Sequence, residues 1–227
     1  MSMVYPKIGS VIVGNDSEIS YMLIQANQVP SRSLCFFFPG ASYSFDKPYL
    51  YYSTMLFLSR QIDLVHVHAA YGQENTDFCN ESFTKRSTRI SIDMQAVVAQ
   101  VLDKHEYDHV FFLGKSLGTV PITCGLLKEP RFARSSAILL TPLLTEYVFH
   151  TDLLTLSQPV FLVSGTADHY FSQGVVDQIA ASKPNIQLHL PQNAKHSLDI
   201  GFNVDDSLQV LQSVMDELAR FLDKQID

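Results

Sequence analysis

Val110-Phe111-Phe112-Leu113-Gly114-Lys115-Ser116-Leu117-Gly118 is the stretch on which the reading of this chain turns. Four strand-forming apolar residues run into a G-x-S-x-G pentapeptide, and a helix-like stretch follows from Leu117 to Leu127. Strand, tight turn with a serine at its centre, then helix is the context that gives the pentapeptide meaning. So sharp a turn strains the serine backbone and leaves its Oγ exposed. Bulky residues two positions either side would collide. Gly114 and Gly118 occupy both places. The serine also stands at a helix N-terminus, where free N–H groups and the helix dipole favour developing negative charge. Gly-Lys-Ser also ends the phosphate-binding loop G-x-x-x-x-G-K-[ST]. That loop needs a glycine five residues before Gly114, and His109 stands there.

Working outward, 227 residues suffice for a sizeable core, and one domain spanning 1–227 is expected. Hydrophobic content of 46% with 17% charged residues is that of an ordinary globular chain. A formal net charge of −7 argues against nucleic acid as a partner. No basic run suits an anionic membrane, and apolar runs such as Ala137-Ile138-Leu139-Leu140 are strand length, too short to span a bilayer. The stretch Met1–Ser10 contains Pro6 and Lys7 and lacks an apolar core, so no signal peptide is expected. Cys35, Cys79 and Cys124 are odd in number and lack metal-like spacing. They read as reduced thiols of a cytoplasmic protein, with no metal centre and no cofactor.

Strand-like runs alternate with helical patterns along the chain. Ser10–Val13 and Ile19–Gln25 flank the turn sequence Gly14-Asn15-Asp16-Ser17 and are expected to pair antiparallel. Leu34–Phe38 and Leu64–His68 read as buried strands, separated by a helix from Pro48 to Arg60 with Tyr52, Met55 and Leu56 on one face. Met94, Val97, Val98, Val101 and Leu102 give the clearest helical spacing. Beyond the serine turn come strands at Ser136–Leu140, Val160–Ser164 and Gln187–Leu190, with a helix over Gln173–Ala181. A last helix carries Leu208, Leu211, Met215, Leu218 and Leu222. This pattern predicts an α/β fold with a mostly parallel, twisted sheet of about eight strands and helices on both faces. In such sheets chemistry collects at the carboxyl ends of the strands.

Four strand ends carry a matching set: Pro39-Gly40-Ala41-Ser42-Tyr43-Ser44, then Ser116, then Gly165-Thr166-Ala167-Asp168-His169, then Pro191-Gln192-Asn193-Ala194-Lys195-His196-Ser197. A serine nucleophile needs a base within hydrogen-bond reach, and the base needs an acceptor that fixes its tautomer. Ser116, Asp168 and His196 occur in the chain order serine, acid, histidine. This order on this strand pattern resembles the α/β-hydrolase superfamily, and the resemblance covers nearly the whole chain.

The resemblance implies Ser116 as nucleophile, His196 as general base and then general acid, and Asp168 as the group that orients the imidazole. Asp199 is a rival acid only three residues from His196. The backbone N–H of Leu117 would be one oxyanion donor. The second would come from Ala41, with Ser42 as runner-up. Pro39 stands where the superfamily frequently has histidine, which a backbone donor does not require. His66 and His68 alternate along a strand and read as structural, and His169 as a residue lining the site.

The small-molecule substrate is expected to be an ester or thioester, hydrolysed through an acyl-enzyme. An acyltransferase and a non-catalytic ligand-binding protein are the alternatives. Between the sixth and seventh strands only Thr141–Gln158 is available, enough for one short helix and not for a large cap domain. Ser42, Tyr43, Leu143, Tyr147 and Tyr170 are the expected substrate contacts. Leu143, Leu144, Tyr147, Val148 and Phe149 either wall an acyl pocket or belong to the core. Lys115 and Lys195 either attract an anionic substrate or are solvated surface lysines.

Overall fold

The computed structural model describes residues 6–14, 17–69, 71 and 76–226. Asn15 and Asp16 of the expected turn, and the first five residues of Met1–Ser10, lie outside them. Eight strands form one sheet: β1 (Pro6–Val13), β2 (Ser17–Ile24), β3 (Ser33–Phe38), β4 (Asp63–His68), β5 (His109–Lys115), β6 (Ser136–Leu140), β7 (Val160–Val163) and β8 (Ile186–His189). Their order is β1-β2-β4-β3-β5-β6-β7-β8. β1 pairs antiparallel with β2 and β2 with β4, and every later pairing is parallel.

The central strands show why a continuous apolar run becomes a strand buried on both sides. Leu34, Phe36 and Phe38 of β3, Phe112 of β5, Leu139 of β6 and Leu162 of β7 enter one core. Their alternates Cys35, Phe37, Phe111, Leu113, Ile138, Leu140, Phe161 and Val163 enter the other. The first core is covered by α2 (Thr76–Asn80), α3 (Phe83–Leu102), α4 (Val120–Cys124), α5 (Tyr147–Leu153) and α6 (Gln173–Ser182). The second is covered by α1 (Pro48–Ser59) and α7 (Val204–Ile226). The α3 stripe is as expected: Met94, Val97, Val98 and Val101 are buried and Leu102 packs at the edge.

One expectation is corrected. The stretch after Ser116 is not one helix to Leu127. It is a 3₁₀ turn over Ser116–Thr119, then α4, then a second 3₁₀ turn over Leu126–Lys128. Pro121 is tolerated in the opening turn of α4, and Gly125 leaves the helical region at φ −133 and ψ −80. In α1 the buried residues are Tyr49, Leu50, Ser53 and Phe57, while Tyr52 and Met55 are exposed. In α7 the inward stripe is Val210, Val214, Leu218, Phe221 and Leu222, and Leu208 faces out. Tyr52, Met55 and Leu56 share a face of α1, as expected, and line a groove between these two helices with Leu208, Leu211 and Met215 of α7.

The chain leaves β3 for β4 and then returns across it to β5, so the loops after β3 and β5 diverge. That reversal makes a crevice at the carboxyl edge, the place where open α/β sheets hold ligands. Ser116 sits at the end of β5 and Gly40-Ala41 just beyond β3.

Candidate active site

Ser116 has φ +54, a strained value for a residue with a Cβ. Gly118 lets the turn close: a Cβ there would lie 2.0 Å from the carbonyl oxygen of Phe38. The tight turn therefore holds the first helical residues against the end of β3. It also brings the 39–41 loop beside the serine, since a Cβ on Gly40 would stand 3.2 Å from the Ser116 Cβ.

The acid comes from the loop after β7 and the histidine from the loop after β8. These loops are laced together by Thr166 N donating to Pro191 O (3.1 Å), Ala167 N to Ala194 O (3.0 Å) and Asn193 N to Thr166 Oγ1 (2.8 Å). Asn193 and Leu198 of the histidine loop have φ +59 and +66. Strained backbone of this kind persists where the surrounding structure over-determines it.

The result is one continuous relay. His196 Nε2 lies 2.7 Å from Ser116 Oγ, and His196 Nδ1 lies 2.8 Å from Asp168 Oδ2. Asp168 is buried and its other oxygen accepts from the backbone N–H of Tyr170 at 2.9 Å. A carboxylate fixed at both oxygens holds the ring as Nδ1–H, leaving Nε2 to accept a proton from the serine. Asp199, the rival acid, is joined to this loop through its backbone, its carbonyl accepting from Lys195 N.

Other expected residues divide. Tyr170 lies beside the relay, its ring centroid 5.3 Å from that of His196. His169 stacks obliquely on both, and its Nδ1 is 3.6 Å from Asp168 Oδ1. Leu117 and Ala41 line a common cavity of about 20 Å³. Ser42 stands on the rim between two open clefts. Tyr43 is partly buried, its hydroxyl accepting from Tyr49 N at 3.2 Å. Burial pushes that phenol up to about 12. Leu143, Leu144 and Phe149 are core residues under the sheet, whereas Tyr147 is exposed against His150. The pocket reading thus gives way to the core reading for Leu143. His66 is buried, stacked on Phe45 at 4.0 Å and bonded to Thr54, as expected of a structural residue.

Among the described residues, Asp168, His169 and His196 form a group with ligand atoms within 4.8 Å of one another. Both nitrogens of His196 are already engaged by Ser116 and Asp168.

Lys195 is exposed, but Lys115 is not a solvated surface lysine: it is 1% exposed. Strand alternation carries the signal, since Lys115 follows Phe111 and Leu113 on the same inward face of β5. Its ammonium bonds to Thr141 Oγ1 and to the backbone oxygen of His196, and lies 5.0 Å above the Tyr43 ring. Thr141, which no local motif marks, has φ +47.

No protein-family model matches the chain, and no curated protein matches it in sequence. Solved structures match it closely in shape. An esterase from Pyrococcus furiosus superposes with a TM-score of 0.72 at 14% identity, covering 97% of this chain and 93% of that one. Est1E from Butyrivibrio proteoclasticus gives 0.72 at 13% identity over 96% and 99%. A lidless α/β serine hydrolase from Xanthomonas campestris gives 0.69 at 12% identity over 96% and 94%. The fold is therefore that of the α/β hydrolases. Among the described residues no helix is long and apolar enough to cross a membrane.

Proposed function

We propose that this protein is a serine hydrolase acting on small esters or thioesters through an acyl-enzyme. The observation that carries the reading is the unbroken Ser116–His196–Asp168 hydrogen-bond relay at the carboxyl edge of the sheet. Ser116 Oγ attacks the carbonyl carbon as His196 Nε2 takes its proton. The oxyanion is met by the backbone N–H groups of Leu117 and Ala41, the latter from the loop that stands beside Ser116. The tetrahedral adduct collapses to the acyl-enzyme, and His196 returns the proton to the leaving alcohol or thiol. Water then adds by the same route in reverse, releasing the acid and restoring Ser116. The esterases and the lidless hydrolase among the structural neighbours support an ester substrate and an open site. So does the segment between β6 and β7, which holds only the seven-residue α5.

Labelling with a fluorophosphonate, followed by peptide mass spectrometry, tests the assignment. The label is expected on Ser116, and Ser116→Ala is expected to lose roughly 10³-fold or more in kcat on short p-nitrophenyl esters. Acetyl to hexanoyl esters should be turned over faster than palmitoyl esters. Labelling elsewhere, or an active Ser116→Ala, would overturn the proposal.

A further inference from the structure

Lys115 is a buried amine that the proposed chemistry leaves unused. It is enclosed by groups from every neighbouring element: the Tyr43 ring from the loop after β3, Thr141 from the end of β6, Asp168 from the loop after β7, and His196 and Asp199 from the histidine loop. Its Nζ donates to the carbonyl of His196 itself at 2.7 Å. The lysine side chain is thus a strut from the residue before the serine to the backbone of the residue that bonds the serine.

We propose that Lys115 is the positioning residue for His196: its contact with the His196 carbonyl sets the depth of the imidazole over Ser116. This inference rests on the hydrolase reading for its kinetic consequence, though not for its geometry.

Two observations argue that the contact does more than fill space. First, burial lowers the Lys115 ammonium from 10.5 to about 7, with Asp168 and Asp199 opposing the fall. A buried ion is poor support for a fold, because an apolar side chain of similar volume serves as well or better. Second, its other acceptor, Thr141, is a β-branched residue held in the left-handed region. Strain of that kind accumulates where geometry is used. Other bonds hold the histidine loop at positions beside His196: Ala167 N donates to Ala194 O and Lys195 N to Asp199 O. Tyr49 Oη donates to Leu198 O at 2.8 Å, two residues beyond His196, so it does not define the imidazole itself.

The test compares wild type with Lys115→Met and Lys115→Gln, using ester kinetics and the proton NMR signal of the His196 Nδ1–H, identified by its loss in His196→Ala. Methionine fills the volume and removes the donor; glutamine keeps one. The expected result for Lys115→Met is a loss of roughly 10²-fold in kcat, the scale of a 1 Å misplacement, with KM nearly unchanged. Its Nδ1–H signal should move or broaden, and Lys115→Gln should recover most of both properties. An Nδ1–H signal unmoved in both variants would overturn the proposal whatever the kinetics. A moved signal with wild-type kcat would also overturn it, by showing that the contact is kinetically idle. Fluorophosphonate labelling of the wild type decides the hydrolase reading separately. If Ser116 is inert, the proton signal alone decides the positioning role.

Discussion

At the scale of single residues, the site depends on which carboxylate holds the histidine. Asp168 is buried and bonded to both His196 Nδ1 and Tyr170 N, and its loop after β7 is hydrogen-bonded to the histidine loop after β8. Asp168→Asn keeps the shape but offers the ring the wrong partner, so kcat should fall by roughly 10³- to 10⁴-fold with little change in Tm. Asp199→Asn should cost less than about tenfold. Ester kinetics and thermal melts on the two variants check this, and the reverse order of effects would move the acid to Asp199. Ser116, Asp168 and His196 were legible as a candidate set because each follows a strand in a fixed order. Lys115 was not read correctly, because a lysine beside a turn is ordinarily solvated. Its burial follows from the loops that close over it, which come from residues far away in the chain.

At the scale of elements, the turn after β5 is closely packed against the end of β3. Gly118→Ala must push its Cβ against Phe38 O, where only 2.0 Å is available. The cost should exceed about 2 kcal/mol, the range of overpacked cores, and should show as a Tm lowered by several degrees. Activity should fall as well, because displacing Phe38-Pro39 displaces Ala41. Gly174→Ala is the control: nothing lies within 4 Å of its Cβ position, and it sits in α6, so the change should be neutral or slightly stabilising. Urea melts of the two variants compare them directly, and equal stabilities would refute the close-packing account. Helices were harder to read than strands. The α3 stripe was plain, but in α1 apolar residues surround much of the helix, and in α7 a second apolar row, Leu208, Leu211 and Met215, flanks the inward stripe. Their inward faces were set by the sheet they landed on.

At the scale of the whole molecule, two buried bases make stability rise with pH in separate windows. Burial lowers His66 from 6.5 to about 4, with His68 adding to the fall. The folded state therefore refuses a proton that the unfolded chain accepts, and stability is lost as pH falls from 6.5 to about 4. This loss is about 3 kcal/mol. Lys115, lowered from 10.5 to about 7, acts in the same sense at higher pH: stability is lost as pH falls from 10.5 to about 7, by an amount on the order of 5 kcal/mol. Urea unfolding across pH 4–10 should show both rises. His66→Gln should flatten the lower one and Lys115→Met the upper one, each leaving the other in place; an unflattened slope would count against the corresponding group. The sequence by itself determined the strands, their mostly parallel order, the serine turn and the serine–acid–histidine sequence, because strand alternation and the close fit at a sharp turn are local properties carried by neighbouring residues. Only the tertiary structure decided that the three side chains meet within hydrogen-bond distance, that Leu143 joins the core, that the helix after Ser116 breaks at Gly125, and that Lys115 is sealed beneath His196. The meeting of the three side chains and the closure over Lys115 depend on strand order, register and loop closure, which join residues dozens of positions apart; the inward side of β5 and the glycine at 125 are local, but neither says what packs over them.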